Sequence, residues 1–144
     1  MSRSESGDVL TDVVMRTFRL YGAFLDAAEV MTKPVGLTAA WWQVLGAVLR
    51  EPLSVSGIAR EMGLARQSVQ RIADLLVDKG LAEYLPNPAH QRAKLVRPTD
   101  EGYAAIERLR EAQHEWANRV SAQVSLEDLR TTLETMTKLV AATS

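Results

Sequence analysis

Five polar side chains crowd into six consecutive positions of this chain: Arg66, Gln67, Ser68, Gln70 and Arg71. Arginine and glutamine carry donors and acceptors that match base edges in the DNA major groove, and arginine and serine also serve phosphate oxygens. A second polar group, His90, Gln91, Arg92 and Lys94, stands beyond a stretch of alternating residues. The chemistry these residues suit is the binding of a polyanion, not bond making. There is no cysteine, which removes thiolate metal sites, cysteine nucleophiles and disulfides together. The two histidines, His90 and His114, lie far apart, and His114 with Glu111 and Glu115 reads as a solvated helix face. His-Glu-x-x-His, a Gly-rich phosphate loop and a G-x-S-x-G elbow do not occur. No enzyme, metal site or cofactor is expected.

The segment that must position these residues runs from Leu53 to Arg97. Val55, Ile58, Ala59 and Met62 recur at helical spacing behind Ser54, an N-cap residue. Gly63 sits where the chain leaves that helix with positive φ. Leu64 then re-enters the core, and Val69, Ile72, Ala73, Leu75 and Leu76 form the buried side of a second helix. Its other side carries the five polar residues. Two helices joined by so short a turn make a helix-turn-helix, with the second helix free to enter a major groove. After Gly80 the period shortens to two: Leu81, Glu83 and Leu85 alternate with Ala82 and Tyr84, and residues 93–97 form a second strand. Between them, residues 86–92 are rich in turn formers. This hairpin reads as a wing, whose Arg92 can enter a narrow minor groove. Ser54 and Lys94 complete the expected DNA-contacting set.

Residues 37–102 resemble the winged helix-turn-helix core of the MarR family, the multiple-antibiotic-resistance-type regulators. The matching pieces are LTAAWWQVLGAVL, SVSGIAREMGLARQSVQRIADLLVDKGLAEY and NPAHQRAKLVRPTDEG. The wing keeps Asn87, Pro88, Arg92, Ala93, Lys94, Val96, Thr99 and Gly102 of the family's pattern. It departs at His90, where the family usually has Asp, at Gln91, where it usually has Arg, and at Pro98, where it usually has Leu. The family's aspartate helps to orient wing arginines, so these departures bear on the wing's grip.

The formal net charge is only −1, but its distribution is uneven. Between Arg60 and Arg97, seven cations face four anions, an excess of three that leaves −4 for the rest of the chain. A locally basic module of this kind predicts salt-sensitive rather than very tight nonspecific binding. No apolar run approaches the roughly 20 residues of a membrane span, and the polar N-terminus lacks a signal-peptide core. A cytoplasmic protein is expected.

The flanks are helical and apolar on one side. Residues 1–7 are expected to fray, and a helix from Asp8 to Thr32 carries Val9, Leu10, Val13, Val14, Phe18, Tyr21, Phe24, Leu25 and Ala28. Thr38 caps a helix to about Arg50. Thr99 caps another to about Val120, and Ser125 opens a last one with Leu126, Leu129, Leu133, Met136, Leu139 and Val140 on its stripe. One wing module cannot cover both stripes, so a homodimer with interleaved terminal helices is expected, its two-fold axis matching a palindromic operator. Trp41 and Trp42 point about 100° apart, which suits either core plus interface packing or an indole lining a ligand site. The family resemblance implies that an aromatic or phenolic effector binds there, beside Phe18 and Tyr21, with Arg16 or Arg19 able to meet an anionic group.

The chain therefore reads as one mainly α domain with a small β-hairpin wing. Residues 37–99 form the DNA-binding lobe, and residues 8–32 and 100–144 the dimerisation helices. The expected function is a dimeric DNA-binding transcriptional regulator, a repressor of its own or neighbouring genes relieved by a small aromatic effector. The alternatives are a winged-helix protein-interaction module without sequence-specific DNA binding and the dimerisation segment of an enzyme.

Overall fold

Helix breakers and caps set the element order in the computed structural model, which describes residues 1–144. α1 spans Glu5–Thr32, and a single 3-10 turn over Lys33–Val35 ends at Gly36, whose φ is 75°. α2 (Ala39–Ala47) and a two-residue strand β1 (Leu53–Ser54) lead into α3 (Val55–Met62) and α4 (Arg66–Asp78). β2 (Ala82–Leu85) and β3 (Leu95–Pro98) precede α5 (Asp100–Ser121) and α6 (Leu126–Thr143). The mainly α architecture with a small antiparallel sheet is the one expected. The chain divides into two compact units, Met1–Leu109 and Arg110–Ser144.

Four expectations need correction. Residues 5–7 are helical rather than frayed, because Ser4 Oγ accepts from the Gly7 N–H at 3.0 Å and Asp8 N–H reaches Ser4 O. α2 stops at Ala47, where the last turn tightens, rather than at Arg50. The second hairpin strand begins at Leu95, not Ala93, since residues 87–93 are folded into turns. Leu75 is exposed: it lies six residues, or about 240° of helix, from Val69 and so falls off the buried stripe.

The other caps stand where expected. Ser54 Oγ accepts from Gly57 N–H at 3.1 Å, Thr38 Oγ1 from Trp41 N–H at 3.1 Å, and Ser125 Oγ from Asp128 N–H at 3.1 Å. α2 gains a second cap from outside its own sequence, as Ala39 N–H donates to Glu29 Oε1 of α1 at 2.9 Å. Gly63 has φ 64° and closes α3.

The main core gathers Val44, Leu45, Ile58, Val69, Ile72, Ala73 and Leu76 from α2, α3 and α4, with Val48 just after α2 and Ala82 and Val96 from the sheet. Each large aliphatic buried there contributes roughly 1.5–3 kcal/mol relative to exposure. The sheet has the order β1-β3-β2, so the pairing of Leu53 with Val96 ties the start of the helix-turn-helix to the hairpin. Ala82 and Tyr84 stand opposite Pro98 and Val96, and this face turns inward. Pro98 therefore fills a buried site opposite Ala82.

One contact fixes how the hairpin meets α5. The Thr99 N–H donates to Leu81 O at 3.1 Å, and Thr99 Oγ1 donates to Gly80 O at 2.6 Å while accepting from Gly102 N–H at 3.1 Å. Gly102 lies so close that a Cβ there would sit 2.0 Å from Leu81 O. Backbone, not a flexible side chain, would have to move. Thermal denaturation should show Gly102→Ala destabilised by about 2 kcal/mol or more. Gly46→Ala, in the last turn of α2 where a Cβ would meet nothing within 4 Å, should be neutral or stabilising by up to about 1 kcal/mol. Equal behaviour of the two variants would show that the Leu81 contact is not a constraint.

Candidate nucleic-acid interface

α4 begins one turn after Gly63, and its N-cap residue Ala65 brings no side chain to its first N–H groups. Because Val69, Ile72, Ala73 and Leu76 are buried, the helix presents Arg66, Gln67, Gln70 and Arg71 to solvent. Ser68, between the two faces, is half-buried. The cationic residues occupy the N-terminal half of α4, while Asp74 and Asp78 follow on its exposed side. An approaching polyanion thus meets attraction at one end of the helix and repulsion at the other.

The hairpin folds beside this surface. Together they enclose a cleft of about 550 Å³ whose walls include Ser54, Arg66, Gln67 and Gln70 on one side and Tyr84, Arg92 and Lys94 on the other. Six of the ten expected contact residues therefore share one cleft, although the hairpin tip is far from α4 in sequence. Arg71 lies on an adjoining shallow groove with Gln67, Gln70, Leu75 and Asp78. His90 and Gln91 are exposed at the tip and do not border the cleft. The tip itself is ordered by short turns: Asn87 Oδ1 accepts from Ala89 N–H at 3.0 Å, His90 N–H reaches Asn87 O, and Ala93 N–H reaches His90 O. Asparagine favours this kind of side-chain-supported turn.

Five residues of the cleft had not been anticipated as contacts: Val55, Ser56 and Ala93, and the hydrogen-bonded pair Asp74 and Tyr84. Gln70 Nε2 donates to Asp74 Oδ1 and to Tyr84 Oη, both at 3.0 Å, and the Tyr84 hydroxyl donates to Asp74 Oδ1. Burial pushes the Tyr84 phenol up to about 12, reinforced by the hydrogen bond to Asp74 and by its charge, with the Gln70 bond acting the other way. The Lys94 ammonium sits 5.8 Å from the Tyr84 ring centre, a cation–π distance. The Gln70–Asp74 spacing of four residues was a readable helix-pair signal. Tyr84 was not readable, because its approach depends on the hairpin's register. Arg97, counted among the basic residues of this segment, is engaged by Glu83 directly across the sheet, with Nε 3.0 Å from Oε1.

The aromatic residues expected to hold an effector are placed differently from one another. Trp41 and Trp42 are half-buried against a small cluster of Leu37, Ala105 and Leu109. Phe18 and Tyr21 are exposed on α1, at 68% and 44%. None of the four borders the cleft between α4 and the hairpin. No group of three or more His, Asp or Glu is arranged to hold a metal ion, and no helix is long and apolar enough to cross a membrane.

Comparison with known proteins places this geometry in context. A sequence model described as the MarR family matches residues 35–93, from the turn before α2 to the end of the hairpin tip. An uncharacterized protein of Mycobacterium tuberculosis is 33% identical over 135 residues, covering 94% of each chain. Among solved structures, CouR from Rhodococcus jostii bound to p-coumaroyl-CoA superposes with a TM-score of 0.79 at 21% identity, over 96% of both chains. A mutant MarR from E. coli complexed with operator DNA gives 0.76 at 20% identity, over 94% of this chain and 99% of that one. With its helix-turn-helix, its three-stranded wing sheet and a family match that covers the former and runs to the hairpin tip, the chain belongs to the MarR family of winged-helix proteins.

Proposed function

We propose that this protein is a dimeric, DNA-binding transcriptional regulator that represses its own or neighbouring genes and is relieved by a small aromatic effector. The observation that carries the reading is the shared cleft, in which Arg66 and Gln70 of α4 face Arg92 and Lys94 of the hairpin. Base-reading side chains on a helix and cations on an adjacent β-ribbon are what simultaneous major- and minor-groove contact needs. Ser54 and Gln67 also line the cleft, and Ser68, Arg71, His90 and Gln91 lie outside it as positions for phosphate or groove contacts. The E. coli protein of like fold is complexed with operator DNA, which supports DNA binding by this fold.

The dimer is supported by two apolar helix faces. Thr32 is the only buried residue of α1, while Val9, Val14 and Phe18 are exposed; α6 has no buried residue and exposes Leu126, Leu133 and Val140. Apolar surface of this extent on a water-soluble chain marks an association site, and a second copy supplies matching surface by symmetry. Two wings related by a two-fold axis would then address a palindromic operator, with half-sites about one helical turn apart. The effector reading rests on the half-buried Trp41 and Trp42, on the exposed Phe18 and Tyr21 of α1, and on the p-coumaroyl-CoA bound in CouR. Such a ligand relieves repression only by binding the two conformations of the dimer with different affinity.

Titration against a fragment of the gene's own upstream region, at two salt concentrations, should show salt-sensitive binding of two chains per site. Arg92→Ala should weaken it roughly tenfold and reduce the salt slope by about one. Indifference to DNA at both salt concentrations would favour the protein-interaction module instead. Light scattering should give the mass of two chains. Leu133→Glu, which puts a charge into the exposed stripe of α6, should shift the population to monomers and abolish two-site binding; a monomeric wild type would overturn the dimer.

A further inference from the structure

A carboxylate in a cleft built to meet phosphates needs a reason. Asp74 repels a polyanion, yet it borders the cleft at a point where Gln70 and Tyr84 both turn toward it. The hydrogen bonds define what Asp74 does to Gln70. A carboxylate only accepts, so the side of the Gln70 amide facing Asp74 must be its nitrogen. Turning the amide over would set Oε1 against the Asp74 oxygen, leaving two acceptors in contact with no proton between them. Tyr84 closes the triangle, since its hydroxyl gives its proton to Asp74 and accepts from Gln70 Nε2. The amide nitrogen is thereby committed to the protein, and Oε1 is the end left to the cleft.

We propose that Asp74 and Tyr84 lock Gln70 as a fixed hydrogen-bond acceptor that selects, at one position in each half-site, a base carrying an exocyclic amine in the major groove. That class is adenine, through N6–H, or cytosine, through N4–H; guanine O6 and thymine O4 present acceptors to an acceptor and are disfavoured. A free glutamine can rotate its amide and satisfy either kind of base, so without the lock the position carries little information. Asp74 and Tyr84 are positioning residues here, and Gln70 is the residue that touches the base. Because the phenol is held up to about 12, its proton stays in place at neutral pH. A raised pKa means the lock is complete below the ordinary tyrosine value of about 10 and is lost only as the pH climbs from there through the raised value.

This inference rests on the DNA-binding reading, and its test separates the two. Duplexes bound from a random-sequence pool would be sequenced for wild type, Gln70→Ala, Asp74→Asn, Tyr84→Phe and Asp78→Asn. Asp78→Asn removes the same charge one turn further along α4 without touching the lock. Wild type and Asp78→Asn should favour adenine or cytosine over guanine or thymine by about tenfold at one position per half-site. In Asp74→Asn that preference should fall below about threefold, with the other positions of the site unchanged, and Tyr84→Phe should fall between. A mere gain of overall affinity in Asp74→Asn, with the preference intact, would overturn the lock. So would a wild-type preference for guanine or thymine at the position lost in Gln70→Ala. Enrichment of no duplex by any variant would overturn the regulator reading and this inference together. Independently of DNA, ultraviolet titration should show one of the three tyrosines ionising near pH 12 and moving down in Asp74→Asn; no movement would show that the triangle does not form in solution.

Discussion

The carbonyl of Leu81 is the point on which the recognition surface depends. Leu81 N–H closes the end of α4 on Leu76 O at 2.8 Å, and Leu81 O accepts the Thr99 N–H at the foot of β3. The helix, the hairpin and the start of α5 are therefore joined through one residue. Gly102 allows the approach because it has no Cβ to fill the same space. Three residues beyond Leu81, Tyr84 reaches Gln70 and Asp74, so a shift at the hinge would carry straight into the cleft. The wing's pose on α4 is a consequence of backbone hydrogen bonds, and the polar side chains of the cleft refine it.

Electrostatics then act on a surface already shaped. A net charge of −1 says little about what this chain can bind, because its charges are sorted. Glu83 is engaged by Arg97 across the sheet, and Asp74 by Tyr84 and Gln70. Arg66, Arg92 and Lys94 are the cations at the cleft itself. The exposed Arg97–Glu83 pair contributes little to stability. Its larger effect is to place a neutralised pair outside the cleft, so the local excess of positive charge is smaller than a count along the chain implies and better focused.

How much of this could be read from the chain depended on the range of each interaction. Ser54, Thr38, Thr99 and Ser125 were legible as caps because a cap and its N–H partner lie within three residues. Gly63 was legible for the same reason. Ser4 obeys that rule too, but its setting among polar residues disguised a helix start as a tail. Leu75 was misplaced because apolarity alone assigned it to the core, where the helical angle excludes it. A two-residue strand such as β1 has no period to detect. Gln70, Arg66 and Arg92 were identifiable singly from residue type, but the triangle of Gln70, Asp74 and Tyr84 needs the hairpin's register, which no local pattern carries. Nor could Glu29 be foreseen as a cap for α2, since it acts across ten residues and a turn.

That cap also shows where α1 is held. The helix is 28 residues long, yet its buried contact is at one end: Thr32 is fully buried, with its hydroxyl donating to Ala28 O at 2.8 Å, and Glu29 reaches the N-terminus of α2. Gly36, with its positive φ, and the bond from Leu37 N–H to Thr32 O then turn the chain directly into the segment that carries Trp41 and Trp42. A rod anchored at one end transmits small rotations of its anchor as large displacements along its length. A change in the packing of Trp41 or Trp42 would therefore act at the joint between α1 and the winged-helix core rather than on α4 itself. α4 is tied to α2 through Val44, Leu45, Val69 and Ile72, and close packing leaves that core little room to deform. A movement at this joint would accordingly carry the winged-helix core as a body, with the cleft and its hydrogen bonds intact.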